Sequence, residues 1–511
     1  MDTKRSVLNI SISMISHIIL LVVAIIVRRL LIRYIGNDVN GLNSLYAGII
    51  GILGVVELGV GKAITYSMYK PIVDGDQKQI SALYNLYKKL YLIIGAVILV
   101  AGLLVMPFLP KFIGDYETIS VNVYIPFLLS LVAVVLSYLY SAKTALIEAH
   151  KDNYITTGIL TISDLIRYGI QMVVIVIWKS FLLFLACRII STLIVWVLTD
   201  LVVRKRYGEI ISRNETIDIH AKKEIGKNVK AIVMHKIGTK MVQSVDSLII
   251  SGFIGIVILG KYSNYTYVAT AMVGIIGLFF TPLTSIIGHL CAEGDREKTH
   301  KYFNFFYSLN YLLAVVFFLG YYAVVDSVIT LFFGPGLAVP HSVAFVITLN
   351  QFIQYMRNAS LLFRNASGTF YYDRWKPIAE GVVNLVLSVF FVMVFPEELR
   401  VAGVIVATII TNLLICDTVE FHVVFKYAFG QKPGKFYIKN YSYIVLFTLA
   451  LILMTFLTRK IDSPVVGILI NGLVSLGVSF VTLTIVAIVD KTFRGEVRNM
   501  VRKGMQRMVS V

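Results

Sequence analysis

Long apolar runs alternate with short polar interruptions along this chain, and the runs have nearly uniform length. Fourteen of them can cross a hydrocarbon layer: 10–33, 40–66, 90–112, 122–147, 155–178, 181–202, 230–256, 262–288, 302–325, 339–363, 377–395, 401–425, 438–458 and 464–489. A layer of about 30 Å needs about 20 helical residues, and a helix satisfies its own backbone groups in lipid. The alternating short strands of a membrane barrel are absent. The pattern therefore predicts an all-α polytopic membrane protein of about 14 transmembrane helices. The first run is too long for a signal-peptide core and ends in Arg28 and Arg29 rather than a small-residue cleavage site. It predicts a retained helix.

The longest polar interruption, 203–229, follows the sixth run. It predicts a six-helix bundle over 1–202, a cytoplasmic linker over 203–229 and a second six-helix bundle over 230–430. Two extra helices over 431–490 and a basic tail over 491–511 complete the chain. An internal repeat points the same way. At an offset of 219 residues, YIGNDVNGLNSLY (34–46) lies on FIGIVILGKYSNY (253–265), matching Ile35, Gly36, Gly41, Ser44 and Tyr46 to Ile254, Gly255, Gly260, Ser263 and Tyr265. The same register puts Thr65 on Thr284 and Gly75-Asp76 on Gly294-Asp295. Six spans separate the copies, so they share one orientation. Such a parallel repeat predicts two halves about an axis along the membrane normal, with a substrate site between them.

Composition fits this picture: 57% of residues are hydrophobic and only 15% charged. The net charge of +18 would suit a nucleic-acid binder, but its distribution does not. With the amino terminus placed in the cytoplasm, inner segments hold 32 Lys and Arg, outer loops hold 7, and 8 lie within the spans. That is the positive-inside pattern, with both termini cytoplasmic. In the tail, Val497, Met500, Val501, Gly504, Met505 and Met508 form an apolar stripe among arginines, as in a basic helix lying on the leaflet. The loop 78–91 has a similar character. The three cysteines, Cys187, Cys291 and Cys416, lie in or beside spans and imply no disulfide framework.

The candidate chemistry is the set of intramembrane cations: Arg28, Arg29, Lys62, Arg167, Arg188, Lys236, Lys240 and Arg357. Charges at bilayer depth are costly and normally face a polar cavity or a partner. This excess of one sign predicts a water-filled path for an anion. Arg28, Lys62, Arg167, Arg188, Lys240 and Arg357 are the candidate substrate-binding cations. Glu57, Asp164 and Asp246 are candidates for ion coupling or charge pairing. Asp164 and Arg167, three apart on one helix, share a face, and the alternative for them is a neutralised structural pair. The tenth run is rich in amides, and Asn350, Gln351, Gln354 and Asn358 could contact a glycan or pack helices together. GVGKAIT (59–65) fails the phosphate-loop pattern, because Val56 and Ala63 occupy required positions. No metal motif occurs. The chain thus reads as a transporter rather than an enzyme, without a cofactor, driven by an Na+ or H+ gradient or a partner.

Three segments, RRLLIRYIGNDVNGLNSLY (28–46), ELGVGKAITYSMYKP (57–71) and VDSLIISGFIG with GKYSNY (245–265), resemble the polysaccharide-repeat flippases. That polysaccharide transporter family belongs to the multidrug/oligosaccharidyl-lipid/polysaccharide exporter superfamily. The resemblance implies two six-helix bundles alternating between inward- and outward-open states in a bacterial cytoplasmic membrane. It implies an undecaprenyl-diphosphate-linked oligosaccharide substrate, membrane lipids as surroundings, and polysaccharide polymerase and chain-assembly proteins as partners. By motif it places Arg28 on the family's arginine before the turn, and Glu57 and Asp246 on the acidic positions of its ELG and LIIS segments, without carrying over a coupling-ion site. A peptidoglycan-precursor flippase shares the span count and cationic cavity and is the alternative. A multidrug exporter, which favours an acidic cavity, and a membrane glycosyltransferase or polymerase fit the pattern less well.

Overall fold

The computed structural model describes residues 3–54, 60–119, 121–217, 244–280, 287–288, 290–291, 293–369 and 372–498. Every described regular element is a helix. In chain order these are α1 (Thr3–Tyr34), α2 (Asn37–Leu53), α3 (Val60–Asp74), α4 (Gln77–Val105), α5 (Tyr124–Ala149), α6 (Asn153–Trp178) and α7 (Phe181–Ser212). Then come α8 (Ser244–Phe253), α9 (Ile256–Phe280), α10 (Arg296–Phe333), α11 (His341–Met356), α12 (Asn358–Ala366), α13 (Lys376–Val394), α14 (Glu397–Phe429), α15 (Gly434–Leu457) and α16 (Pro464–Val489). Ten candidate spans among the described residues have the length and hydropathy to cross a membrane. Helix also occupies part of each of the other predicted runs. Large apolar side chains such as Phe456, Phe480, Met393 and Val489 stand exposed on the outer helix faces. In water such a surface would drive association; in lipid it is the solvated face.

In the run 40–66, α2 ends at its C-cap Gly54 and α3 is described from Val60. Among the described residues one predicted span is broken. The run 339–363 becomes α11 and α12, parted by a turn at Arg357. There Asn310 of α10 donates its Nδ2 to the carbonyls of Tyr355 (3.0 Å) and Met356 (3.4 Å). Side-chain donors of this kind satisfy carbonyls that a break leaves without intrahelical partners. The loop 78–91 is not a separate surface element. It forms the first turns of α4 and buries Ile80, Leu83, Tyr84, Tyr87 and Tyr91. Ser81 and Asn85 fix it to the carbonyl of Arg213, just past α7.

The repeated residues carry repeated geometry. Gly36 precedes α2 with φ +139° and Gly255 precedes α9 with φ +126°, a region open to glycine alone. The Gly36 amide donates to Leu31 and the Gly255 amide to Ile250, which keeps the offset of 219. Gly75 and Gly294 adopt φ +72° and +78°. The next residue of each, Asp76 and Asp295, caps its helix by accepting from the amide three positions on, Gln79 and Lys298, both at 2.9 Å. Tyr46 and Tyr265 are both fully buried, and each hydroxyl meets backbone just before a later helix, at Val123 and Val339. Thr284 lies outside the described residues.

The chain forms two compact units, Met1–Gly260 and Lys261–Val511. In the first, α5 packs on α4 and α7, and α6 packs on α1 and α7. Glycines allow close crossings: a Cβ at Gly102 would lie 2.4 Å from the Leu131 side chain. The start of α2 meets the start of α9 the same way. A Cβ at Gly41 would stand 2.1 Å from the Ile256 carbonyl oxygen, and one at Gly260 would stand 2.4 Å from that of Asn37. Asn37 and Asn40 donate to the Val257 and Gly260 carbonyls, at 2.9 and 3.1 Å.

In the second unit α10 is the central helix, in contact with α11, α12, α15 and α16. Its Phe303, Tyr307, Tyr311 and Phe318 are fully buried among rings from α11, α12, α14 and α15. The appended helix α16 reaches α10 through small residues, with Ser327 beside Gly467 and Ser475 beside Gly320. Small residues let helix backbones approach where no hydrophobic force drives helix association in lipid. After α16, Asp490 Oδ1 caps a short helix over 491–498 through the Thr492 and Phe493 amides. Phe493 is buried against Tyr311 and Tyr443, so the first turns of the tail are anchored in this unit. The stripe from Met500 onward lies outside the described residues.

Candidate functional site

In the first unit, helix geometry assembles cations from α6 and α7. Asp164 and Arg167 lie three apart on α6, and Arg167 places Nε and Nη2 at 3.1 and 2.8 Å from the same oxygen, Asp164 Oδ1. Its guanidinium carbon stands 4.2 Å from the Tyr168 ring centre. A two-residue turn then returns the chain in α7. Arg188 there donates Nη2 to Asn43 Oδ1 of α2 at 2.9 Å. Arg188 lies within electrostatic reach of both Arg167 and Asp164, but no described carboxylate sits at ion-pair distance from it. Asp164 thus pairs with Arg167 and acts on Arg188 only at longer range. Both arginines are partly buried. Asn43 is a neutral acceptor that the apolar pattern alone did not single out.

Arg28 lies on α1, which packs on α6 and α2; its side chain is half-buried and engaged. Arg29, about 100° further round the helix, is exposed. Asp246 on α8 is buried and engaged. Next to it, Ser244 and Ser247 lie against Gly51 and Gly48 of α2. Glu57, Lys236 and Lys240 lie outside the described residues. Lys62 falls on α3, and its side chain also lies outside the description.

The second unit treats its cations differently. Arg357, at the α11–α12 break, grips Glu420 of α14 with Nε at 3.1 Å and Nη2 at 2.6 Å, each to a different carboxylate oxygen. Its Nη1 donates to Asn412 and lies 3.9 Å from Glu380. Lys376, the first residue of α13, donates to the same Glu420 and lies 3.5 Å from Glu380. Glu420 is fully buried, and Lys376 and Glu380 nearly so. Two cations and two carboxylates cancel, and they tie α11, α13 and α14 together. Nearby, Asn350 Oδ1 accepts from Gln354 (3.2 Å) and Asn412 (3.3 Å). These amides are occupied in helix packing, whereas Gln351 is half-buried and Asn358 is exposed. In the sequence Lys376 stands just before the run 377–395, among the cations counted to the inner segments. Glu420, a carboxylate well inside an apolar run, was the legible sign of a buried partner.

Cys187 and Cys416 are buried free thiols, and Cys291 is also free. No group of three or more His, Cys, Asp or Glu side chains is placed to hold a metal among the described residues.

No family model matches the chain, and no curated protein sequence matches it significantly. Solved structures do. The lipid II flippase MurJ in an inward closed conformation is 13% identical over 91% of this chain and 97% of its own, with a TM-score of 0.64. An inward-facing multidrug resistance MATE family transporter of the MOP superfamily is 13% identical over 80% and 98%, with a TM-score of 0.56. A MATE protein in a bent conformation is 12% identical over 87% and 96%, with a TM-score of 0.52. At these identities the likeness is one of fold, and the chain has the helical architecture of these membrane transporters.

Proposed function

We propose that the chain is a flippase for an undecaprenyl-diphosphate-linked oligosaccharide repeat. It carries the repeat from the inner to the outer leaflet of a bacterial cytoplasmic membrane, by alternating access, for capsule, exopolysaccharide or a teichoic-acid-like polymer. The observation that carries this reading is the charge balance of the first unit. Among the described residues, Asp164 is the one carboxylate within electrostatic reach of both Arg167 and Arg188, and only Arg167 pairs with it. Partly buried guanidinium groups in excess suit a diphosphate, which they bind bidentately in a low-dielectric setting. A cationic drug would meet repulsion there, which disfavours multidrug export. An Na+ or H+ gradient is the proposed energy source, and a polymerase and chain-assembly proteins are the proposed partners.

The fold likeness to MurJ favours one second reading, transport of a lipid-linked peptidoglycan precursor. A cell lacking the protein separates the two. Complementation with the native chain should restore surface polymer and clear repeat-length lipid-linked intermediates from the inner leaflet. Arg167→Ala and Arg188→Ala should reach the membrane in normal amount yet leave those intermediates trapped. Unchanged surface polymer in the deletion, with rescue of a strain depleted of its precursor flippase, would transfer the assignment to the second reading. Full transport by both variants would remove the two arginines from the site.

A further inference from the structure

The second unit has a cavity with charged groups in its lining that the transport reading does not use. It lies where α10, α11, α15 and α16 end, on the side that the basic-residue distribution places outside. The cavity measures about 520 Å³, and its polar lining includes Asp326, Thr330, His341, Thr458, Arg459 and Lys460. That volume falls within the ~300–1,000 Å³ of small-molecule sites. An apolar cleft of about 440 Å³ adjoins it, sharing Tyr322, His341 and Thr455 and continuing past Phe345, Val346, Phe395 and Val406. A chamber with charged groups in its lining, opening beside an apolar cleft, has the shape of an amphiphile.

The cavity is built rather than incidental. Asp326 Oδ1 accepts from the hydroxyl of Tyr265, which is fully buried. That hydroxyl accepts in turn from the Val339 amide at 3.3 Å, and Tyr321 donates to the Tyr265 carbonyl at 3.0 Å. His341 Nδ1 stands 3.5 Å from Asp326 Oδ2. The repeat shows that the scaffold does not require this carboxylate. In the first copy Tyr46 donates to the Val123 carbonyl instead, and Pro107 stands where the offset would place Asp326. At the rim, Arg459 is held by its backbone: its amide donates to Asn471 Oδ1 (3.2 Å) and its carbonyl accepts from Asn471 Nδ2 (3.0 Å). Asn471 is buried on α16. The Arg459 and Lys460 side chains are exposed and make no ion pair with a described residue.

We propose that this chamber and cleft bind a phosphate-linked glycolipid on the far side of the membrane. The phosphate meets Arg459 and Lys460, sugar hydroxyls meet Asp326 and His341, and the tail lies in the apolar cleft. A fixed carboxylate offers oxygen acceptors to hydroxyl pairs, and guanidinium takes phosphate through paired donors. A lining that mixes Arg459 and Lys460 with Asp326 and Asp462 suits a ligand carrying both phosphate and hydroxyls better than a simple anion or cation. The choice of a glycolipid rests on the flippase reading above; the site would receive the substrate after it has crossed.

The test uses the full chain in nanodiscs and a short-tailed prenyl-diphosphate N-acetylglucosamine carrying a photoactivatable diazirine in its tail. Labelling mapped by mass spectrometry is expected in 341–346 and 395–406. Arg459→Ala with Lys460→Ala should cut that labelling about tenfold, the loss of roughly one charge-assisted contact. Asp326→Asn should weaken it, whereas Gly158→Ala, in open space on α6, should not. Unlabelled glycolipid should compete and phosphatidylglycerol should not. Labelling confined to other peptides, or unmoved by the double substitution, overturns the site. Equal competition by phosphatidylglycerol overturns the sugar assignment. Binding is read without transport, so a chain that labels as expected but fails to restore polymer refutes the flippase reading and keeps the site. Restored polymer without this labelling does the reverse.

Discussion

Arg357 and Arg188 are the same side chain within apolar sequence, yet the structure surrounds them differently. Arg357 meets the buried Glu420 through two nitrogens, with Lys376 and Glu380 completing a neutral set. Among the described residues, the Arg188 side chain meets only the amide oxygen of Asn43. A buried pair is expensive to break, because the survivor is left charged and unpaired, at about 3–5 kcal/mol. Glu420→Gln, which leaves Arg357 and Lys376 facing Glu380, should destabilise the detergent-purified protein by an amount of that order, read as a lowered unfolding midpoint. Arg357→Met combined with Glu420→Gln restores neutrality and should recover most of the loss. A double variant whose destabilisation is the sum of the single ones would show that the two residues are not coupled.

At the scale of elements, the matched glycines do distinct work. Gly36 and Gly255 turn the chain at positive φ, whereas Gly41 and Gly260 let two helix starts touch. The Cβ added by Gly41→Ala would fall 2.1 Å from a backbone oxygen, so the helix itself must shift. Gly41→Ala and Gly260→Ala should each reduce folded yield and destabilise by about 1–3 kcal/mol, as overpacked sites do. Gly158→Ala on α6 has open space and should be tolerated. Fluorescence-detected size exclusion of the three variants is a sufficient comparison, and a monodisperse Gly260→Ala at normal yield would contradict the close contact.

For the whole molecule, the basic-residue count predicts a topology that labelling can read. In a chain whose Cys187, Cys291 and Cys416 are replaced by alanine, Lys460→Cys should react with an impermeant maleimide in intact cells. Lys435→Cys, at the start of α15, should react only after permeabilisation. The reverse pattern would invert the orientation and place the glycolipid chamber on the cytoplasmic side. The same experiment bears on the direction of transport, because the chamber is proposed to receive the substrate after it has crossed.

Much of this was legible in the chain. Hydrophobic run length fixes helical spans, because lipid leaves the backbone no other partner. The offset of 219 was readable from a few glycines and aspartates, because positive φ and helix capping admit few residue types. The pairing of Asp164 with Arg167 followed from spacing on one helix. Tertiary structure alone decided which buried cations are neutralised. Arg357 and Glu420 are 63 residues apart, and no local pattern relates them. It also decided that the run 339–363 breaks at Arg357, where Asn310 of another helix takes up the loosened carbonyls. The chamber around Asp326 is likewise assembled from two helix-joining segments, 322–344 and 455–471, that are distant from each other in sequence. Periodicity reports which face of a helix is apolar; which polar side chains meet across helices depends on how those helices pack.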